Sequence, residues 1–166
     1  MNPLRWSFRT AFAVATAICA AFLGFAYYAQ FQMHLDPCPL CIFQRIAFIV
    51  FGAVCLAAAL HGPKGYGRRV YGALALLAAG AGAAIAGRHV WLQHLPPEKV
   101  PACGPGLSYM LESMPSWLAV VKKVLAGSGE CAEVNWTFLG FSMPEWTLLC
   151  FVLLGIGALV AGFRRR

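Results

Sequence analysis

Four long apolar blocks constrain this chain more than any other feature of its sequence. They span about residues 10–29, 42–60, 70–90 and 146–163, and each approaches the roughly 20 residues that a membrane-spanning helix needs. No block alternates apolar and polar residues as a membrane β-strand does, and backbone groups in lipid leave few options other than helices. The sequence therefore predicts an all-α membrane protein, a four-transmembrane-helix bundle forming a single integral domain over residues 1–166.

The basic residues predict the orientation of this bundle. The net charge is +7, and most basic residues precede the first block, separate the second from the third, or close the chain: Arg5, Arg9, Lys64, Arg68, Arg69, Arg164, Arg165 and Arg166. These regions share one side in a four-helix topology, and the positive-inside rule makes that side cytoplasmic. All the acidic residues fall in the opposite loops, about residues 30–41 and 91–145. We therefore expect cytoplasmic termini, two outward loops and no nucleic-acid partner.

The N-terminal block has an alternative interpretation as a secretory signal, because two arginines precede an apolar run that ends in AYYAQ. The run is long enough to span a membrane and lacks a clean A-x-A ending. These features favour a retained first helix, with cleavage as the alternative.

The seven cysteines divide between the apolar blocks and the outward loops. Three lie among apolar residues, where a thiol behaves as a small inert side chain: Cys19, Cys55 and Cys150. Four lie in the outward loops, on the side where disulfides persist: Cys38, Cys41, Cys103 and Cys131. Four cysteines permit three connectivities, and the pairs are either structural staples or disulfides that exchange.

The C-x-x-C pair in DPCPLCIFQR favours exchange, because so small a ring gains little loop-closure entropy as a staple. Pro39 suits the first turn of a helix and Asp36 suits its N-cap. Cys38 and Cys41 are then expected at the positive end of the second helix, where the thiol pKa is lowered. Arg45 follows one turn deeper on the same face as Cys41, where a cation is costly unless it is paired or functional. Snorkelling of Arg45 to the headgroups is the alternative.

The second outward loop is long enough to carry function. Its segment SWLAVVKKVLAGSG predicts a short amphipathic helix with Trp117, Leu118, Val121 and Leu125 at helical spacing. This helix either lies flat on the membrane or packs on the protein's own loop. Gly104, Pro105 and Gly106 place Cys103 in an accessible loop suited to a mixed disulfide with another protein.

These residues resemble the DsbB family, the quinone-dependent thiol oxidases of the bacterial inner membrane. The resemblance rests on CPLCIFQR, on HVWLQHLPP after the third block, on the separate Cys103 and Cys131, and on ECAEVNWTFLGFSMPEW before the fourth block. It covers nearly the whole chain, and the four cysteines and the arginine match without departure.

The resemblance implies an enzyme that reoxidises a DsbA-like periplasmic oxidase and passes electrons to a membrane quinone, ubiquinone or menaquinone. It implies that Cys103 and Cys131 form the disulfide that the partner attacks, with Cys103 taking the mixed disulfide. Cys131 then attacks Cys38 and releases Cys41 toward the quinone. It further implies that Arg45 holds that thiolate and the reduced quinone, and that His89 is a secondary quinone contact. His89 is alternatively one of several interfacial residues without chemistry, with Arg88, Trp91 and His94.

Other classes of protein fit the sequence less well. A structural zinc site usually needs closely spaced pairs, which Cys103 and Cys131 do not form, so we predict no metal site. Haem attachment needs a histidine after C-x-x-C, where this chain has Ile42. An enzyme similar to vitamin K epoxide reductase is expected to carry C-x-x-C late in the bundle. A non-enzymatic, disulfide-stapled scaffold leaves Arg45 without a role.

Overall fold

Four long helices dominate the computed structural model, which describes residues 7–104 and 107–164. In chain order the helices are α1 (Phe8–Gln32), α2 (Pro39–His61), α3 (Tyr66–Gln93), α4 (Leu107–Ser113), α5 (Trp117–Ala126) and α6 (Met143–Phe163). The helices α1, α2, α3 and α6 are each long and apolar enough to cross a membrane. This confirms the predicted all-α, four-helix membrane fold. The named residues Arg5, Pro105, Gly106, Arg165 and Arg166 lie outside the described residues.

Local sequence signals account for the ends of the long helices. Ser7 precedes α1, and its side chain accepts a hydrogen bond from the backbone N–H of Thr10. Helix α2 ends at Gly62, which takes the left-handed conformation that glycine adopts without strain. Helix α6 begins with a capping box, in which the backbone N–H of Ser142 donates to the Glu145 carboxylate at 2.6 Å. These caps lie beyond the apolar blocks, so the helices are longer than the blocks themselves.

Small residues allow α3 and α6 to pack at close range. A methyl group added to Gly72 would lie 2.9 Å from the Cα of Gly162. In the core, three aromatic rings stack across helices: Phe48 lies 5.4 Å from Phe22 and 4.2 Å from Phe151, measured between ring centroids. This stack connects the bundle core to the site described below.

Arginine side chains close one end of the bundle. Arg9 Nε donates to the carbonyl of Ala59 at 2.8 Å, and Arg68 Nη2 donates to the carbonyl of Ala161 at 3.1 Å. A cation at a helix C-terminus is favourable because the last carbonyls lack helical partners. Arg9, which precedes the first apolar block, and Arg68, which lies between the second and third blocks, therefore lie at the same end of the bundle, as the charge pattern predicts.

The second loop folds over the opposite end of the bundle. Helix α5 buries Val120 and Val124 in a cluster with Leu40 and Leu92, while Trp117, Leu118 and Leu125 of the predicted apolar stripe stay exposed. One face of α5 thus packs on the protein itself and another faces outward. Arg88 of α3 donates to the last carbonyls of α5, at 3.1 Å to Leu125 and 2.9 Å to Ala126.

A short hairpin completes this loop before α6 begins. Its strands are β1 (Thr137–Phe138) and β2 (Phe141–Ser142), which pair antiparallel. Leu139 and Gly140 both have positive φ, 54° and 83°, as a tight two-residue turn requires. The indole N–H of Trp146 donates to the carbonyl of Phe138 at 3.0 Å and ties the hairpin to α6.

Candidate redox site

Cys38 and Cys41 lie at the start of α2, where the sequence predicts them. Pro39 occupies the first turn, but the N-cap is Cys38 itself, whose Sγ accepts from the backbone N–H of Cys41 at 3.4 Å. The prediction that Asp36 caps this helix is therefore wrong. Cys38 Sγ also donates to Cys41 Sγ across 3.3 Å, well beyond the roughly 2.05 Å of a disulfide bond. Both residues are free thiols in this structure.

The two cysteines of the second loop lie on adjacent segments with different exposure. Cys103 is exposed, whereas Cys131 is buried. A methyl group added to Gly129 would lie 3.0 Å from Cys103 Sγ, so Cys103 packs against the short 3-10 turn Gly129–Cys131. The loop thus brings an accessible thiol close to a buried one.

Cys131 also meets the first cysteine pair. The Sγ atoms of Cys131 and Cys38 and a ring nitrogen of His89 all lie within 4.8 Å of one another. The fold therefore gathers Cys38, Cys41 and Cys131 at one end of the bundle, with Cys103 beside them.

Hydrogen bonding and burial keep two of these thiols protonated. The hydrogen bond with Cys38 is the largest influence and, with burial, raises the pKa of Cys131 above its ordinary value. The hydrogen bond with Cys131 lowers the pKa of Cys38. The hydrogen bond with Cys41, burial and the charge of the Cys41 thiolate outweigh this effect and raise the pKa of Cys38 to about 12. The predicted lowering of the thiol pKa at the helix N-terminus is therefore wrong for Cys38.

His89 is buried beneath the loop rather than exposed at an interface, with 2% of its surface accessible. Its Nε2 lies 3.7 Å from Cys38 Sγ, and its Nδ1 lies 2.9 Å from the side-chain amide of Gln44. Sequence reasoning missed Gln44. Its signal is a polar side chain inside an apolar helix, one turn from Cys41, because such residues mark polar contacts within a membrane.

Arg45 turns toward the C-terminal part of α1. It donates to the carbonyl of Ala26 at 3.1 Å and to the side-chain oxygen of Gln30, and it lies 5.1 Å from the ring centroid of Tyr27. None of these groups is a carboxylate, so the contacts orient the guanidinium without neutralising its charge. Such a fixed cation favours a nearby anion.

A cavity of about 300 Å³ lies beside this arginine. Its lining includes Cys41, Arg45, Phe48, His89, Trp136 and Trp146. Trp136 immediately precedes the hairpin and Trp146 lies in the first turns of α6. Sequence reasoning missed both tryptophans because their position depends on the fold of the loop. The cavity joins a thiol, a cation and aromatic walls in one site.

The remaining cysteines stand apart from this site. Cys19, Cys55 and Cys150 are buried in the apolar core of the bundle, as the sequence predicts. Their surroundings are those of inert structural thiols.

The fold and the site together define a class of protein: a multi-pass helical membrane protein with a cluster of thiols at one end of its bundle. Comparison with known proteins makes the assignment specific. The family model for Disulfide bond formation protein DsbB matches residues 8–161, and the chain belongs to this family. It is therefore a disulfide-forming oxidoreductase of the bacterial type.

Relatives named Disulfide bond formation protein B match over nearly their whole length. The relative from Xanthomonas campestris pv. campestris (strain 8004) is 49% identical, covering 100% of this chain and 96% of that protein. The relative from Marinobacter nauticus is 52% identical, covering 97% and 93%. The relative from Methylococcus capsulatus is 54% identical, covering 92% and 91%. These matches favour the DsbB family over the vitamin K epoxide reductase and scaffold alternatives.

Proposed function

We propose that this protein reoxidises a DsbA-like periplasmic thiol oxidase and passes two electrons to a membrane quinone, ubiquinone or menaquinone. In this proposal it resides in the bacterial inner membrane, with cytoplasmic termini and periplasmic redox loops. One observation carries the proposal: the four loop thiols extend from the exposed Cys103 to Cys41, which lines an aromatic cavity together with Arg45. Family membership adds independent support.

The first step takes place at the exposed cysteine. The thiolate of the partner attacks Cys103 of a Cys103–Cys131 disulfide, forming a mixed disulfide and releasing Cys131 as a thiolate. The exposure of Cys103 and the burial of Cys131 support this order of attack, because access decides which sulfur reacts. The second thiol of the partner then resolves the mixed disulfide and frees Cys103.

The second step moves the disulfide between the loops. The Cys131 thiolate attacks Cys38 of a Cys38–Cys41 disulfide, so that a Cys38–Cys131 bond forms and Cys41 leaves as a thiolate. The spacing of less than 4.8 Å between the sulfurs of Cys38 and Cys131 supports this choice of target. Cys41 lines the same cavity as the cation Arg45, which suits Cys41 as the sulfur that carries negative charge.

The cavity beside Cys41 fits a flat aromatic acceptor with carbonyl oxygens. A quinone bound there supplies a two-electron acceptor, and the overall reaction converts two partner thiols and a quinone to one disulfide and a quinol. Phe48, Trp136 and Trp146 offer aromatic contact area, and Arg45 stabilises negative charge on Cys41 and on a carbonyl oxygen. His89 lines the same cavity and serves as a secondary contact.

Quinone absorbance tests this proposal directly. Purified oxidised protein is mixed with a reduced thioredoxin-fold oxidase and quinone, and the absorbance is followed for wild type, Cys41→Ser and Arg45→Gln. We expect one quinone reduced per partner dithiol oxidised, no reduction in Cys41→Ser, and slower reduction in Arg45→Gln. The buried Cys55→Ala variant is the matched control and keeps the wild-type rate. Oxidation of the partner without consumption of quinone would refute the proposal.

A further inference from the structure

The electron path uses Cys38, Cys131 and His89 separately, but it does not use the fact that the three side chains are grouped as metal ligands are. From the sequence we predict no metal site because Cys103 and Cys131 are far apart in the chain. Spacing along the chain does not include ligands that come from different segments. The fold instead combines one cysteine from each loop with a histidine of α3. All three ligand atoms lie within 4.8 Å of one another.

We propose that the reduced protein binds one zinc-like, thiophilic divalent cation through Cys38 Sγ, Cys131 Sγ and a ring nitrogen of His89. Zinc sites with two cysteines, one histidine and an open fourth position are an established type. Bond lengths of about 2.3 Å to sulfur and 2.0–2.1 Å to nitrogen place tetrahedral ligand atoms roughly 3.5–3.8 Å apart. The distance of 3.7 Å from Cys38 Sγ to His89 Nε2 falls in this range.

The surroundings of His89 also suit a metal ligand. The Gln44 side-chain amide lies 2.9 Å from Nδ1, whereas Cys38 contacts the other ring nitrogen, Nε2. A carboxamide presents its oxygen or its NH₂ group after a half-turn. With the oxygen toward the ring, Nδ1–H donates to Gln44, and Nε2, which lies 3.7 Å from Cys38 Sγ, keeps its lone pair for a metal ion. Metal-bound histidines usually have such a partner, which fixes the tautomer.

Metal binding and disulfide formation compete for the same sulfur atoms. Binding breaks the S–H bonds of Cys38 and Cys131, forms two metal–sulfur bonds and releases two protons, without any change of oxidation state. A Cys38–Cys41 or Cys38–Cys131 disulfide leaves no thiolate pair for the metal. The metal ion therefore binds only the fully reduced protein, which accumulates when no electron acceptor is present.

A bound metal ion holds Cys38 and Cys131 as ligands and so stops their exchange. This consequence rests on the proposed function, whereas the binding itself rests only on the geometry of the three ligands. The structure thus assigns the site a second property, capture of zinc-like ions in the reduced state.

Zinc titration in the absence of partner and quinone tests the binding separately from the redox proposal. The protein carries Cys19→Ala, Cys55→Ala and Cys150→Ala to remove background thiols. We expect one Zn²⁺ bound per reduced chain, none per oxidised chain, and loss of stoichiometric binding in His89→Gln. The matched control is His94→Gln, which should bind like the parent, since His94 is exposed and its ring Nδ1 hydrogen-bonds to the carbonyl of Val90 rather than to a thiol. Gln44→Ala should weaken binding by about 10- to 100-fold.

Alkylation of the reduced parent protein provides a test that needs no ligand variant. Zn²⁺ should protect Cys38 and Cys131 from a thiol reagent, as measured by peptide mass spectrometry, while the exposed Cys103 reacts at the same rate with and without the metal. Equal zinc binding by oxidised and reduced protein, unchanged binding in His89→Gln, or protection of Cys103 instead of Cys131 would each overturn the proposal.

Discussion

Replacing Gly82 with alanine should destabilise the bundle, because the added methyl group has no room. It would lie 2.5 Å from two ring carbons of Phe151, well inside contact distance. The ring of Phe151 has 1% of its surface exposed and stacks on Phe48, so it cannot move freely. Overpacking of this kind typically costs about 1–3 kcal/mol. At 1.4 kcal/mol per factor of ten, this corresponds to a roughly 5- to 150-fold lower ratio of folded to unfolded protein.

The assay is equilibrium unfolding in detergent micelles, with helix content followed against denaturant. Gly80→Ala is the matched control on the same helix, because a methyl group there meets nothing within 4 Å. The control should retain wild-type stability. Phe48 lines the cavity, so Gly82→Ala should also weaken quinone binding, measured by quinone titration. Equal stabilities of the two alanine variants would refute the packing argument.

Three further changes test the site. Arg45→Gln should slow quinone reduction on the order of 100-fold because it removes a fixed cation from the developing negative charge. Arg45→Lys keeps a cation and should reduce the rate less. Equal rates for wild type and both variants in a stopped-flow assay would contradict this. In the reduced protein, the rate of Cys131 alkylation should be low at pH 8 and should keep rising with pH beyond 9.0, the ordinary thiol pKa. The raised pKa keeps Cys131 as the unreactive thiol up to higher pH. A rate that levels off at or below pH 9.0 would contradict the raised pKa. The triple variant Cys19→Ala, Cys55→Ala, Cys150→Ala should turn over like wild type and lose about 1 kcal/mol of stability per site; loss of activity in a stably folded protein would show that a core thiol takes part.

Length and hydropathy were sufficient to predict the membrane-spanning helices, but not where they end. Apolar residues mark the part of a helix that lies in hydrocarbon. Helical hydrogen bonding continues to the capping residue, so α1 runs on to Gln32 and α3 runs on to Gln93. The C-x-x-C pair illustrates the same limit, because Cys38 caps α2 with its own sulfur, a role that the sequence assigns to Asp36.

The site was only partly predictable for a related reason. The types of residue that carry thiol chemistry are visible in the sequence, as is an arginine one turn from Cys41. Their neighbours depend on the path of the second loop, which places Cys131 near Cys38 and His89 and places Trp136 against the cavity. No local spacing encodes these contacts, since they join segments far apart in the chain.

The most direct test of the electron path is the identity of the disulfide that forms between the loops. The oxidised protein is mixed with its reduced partner without quinone, quenched with acid within milliseconds, alkylated and mapped by peptide mass spectrometry. Our account predicts a Cys38–Cys131 linked peptide together with alkylated Cys41, because the sulfur of Cys131 lies within 4.8 Å of that of Cys38. A Cys41–Cys131 link with Cys38 alkylated, or no link between the loops at all, would contradict it.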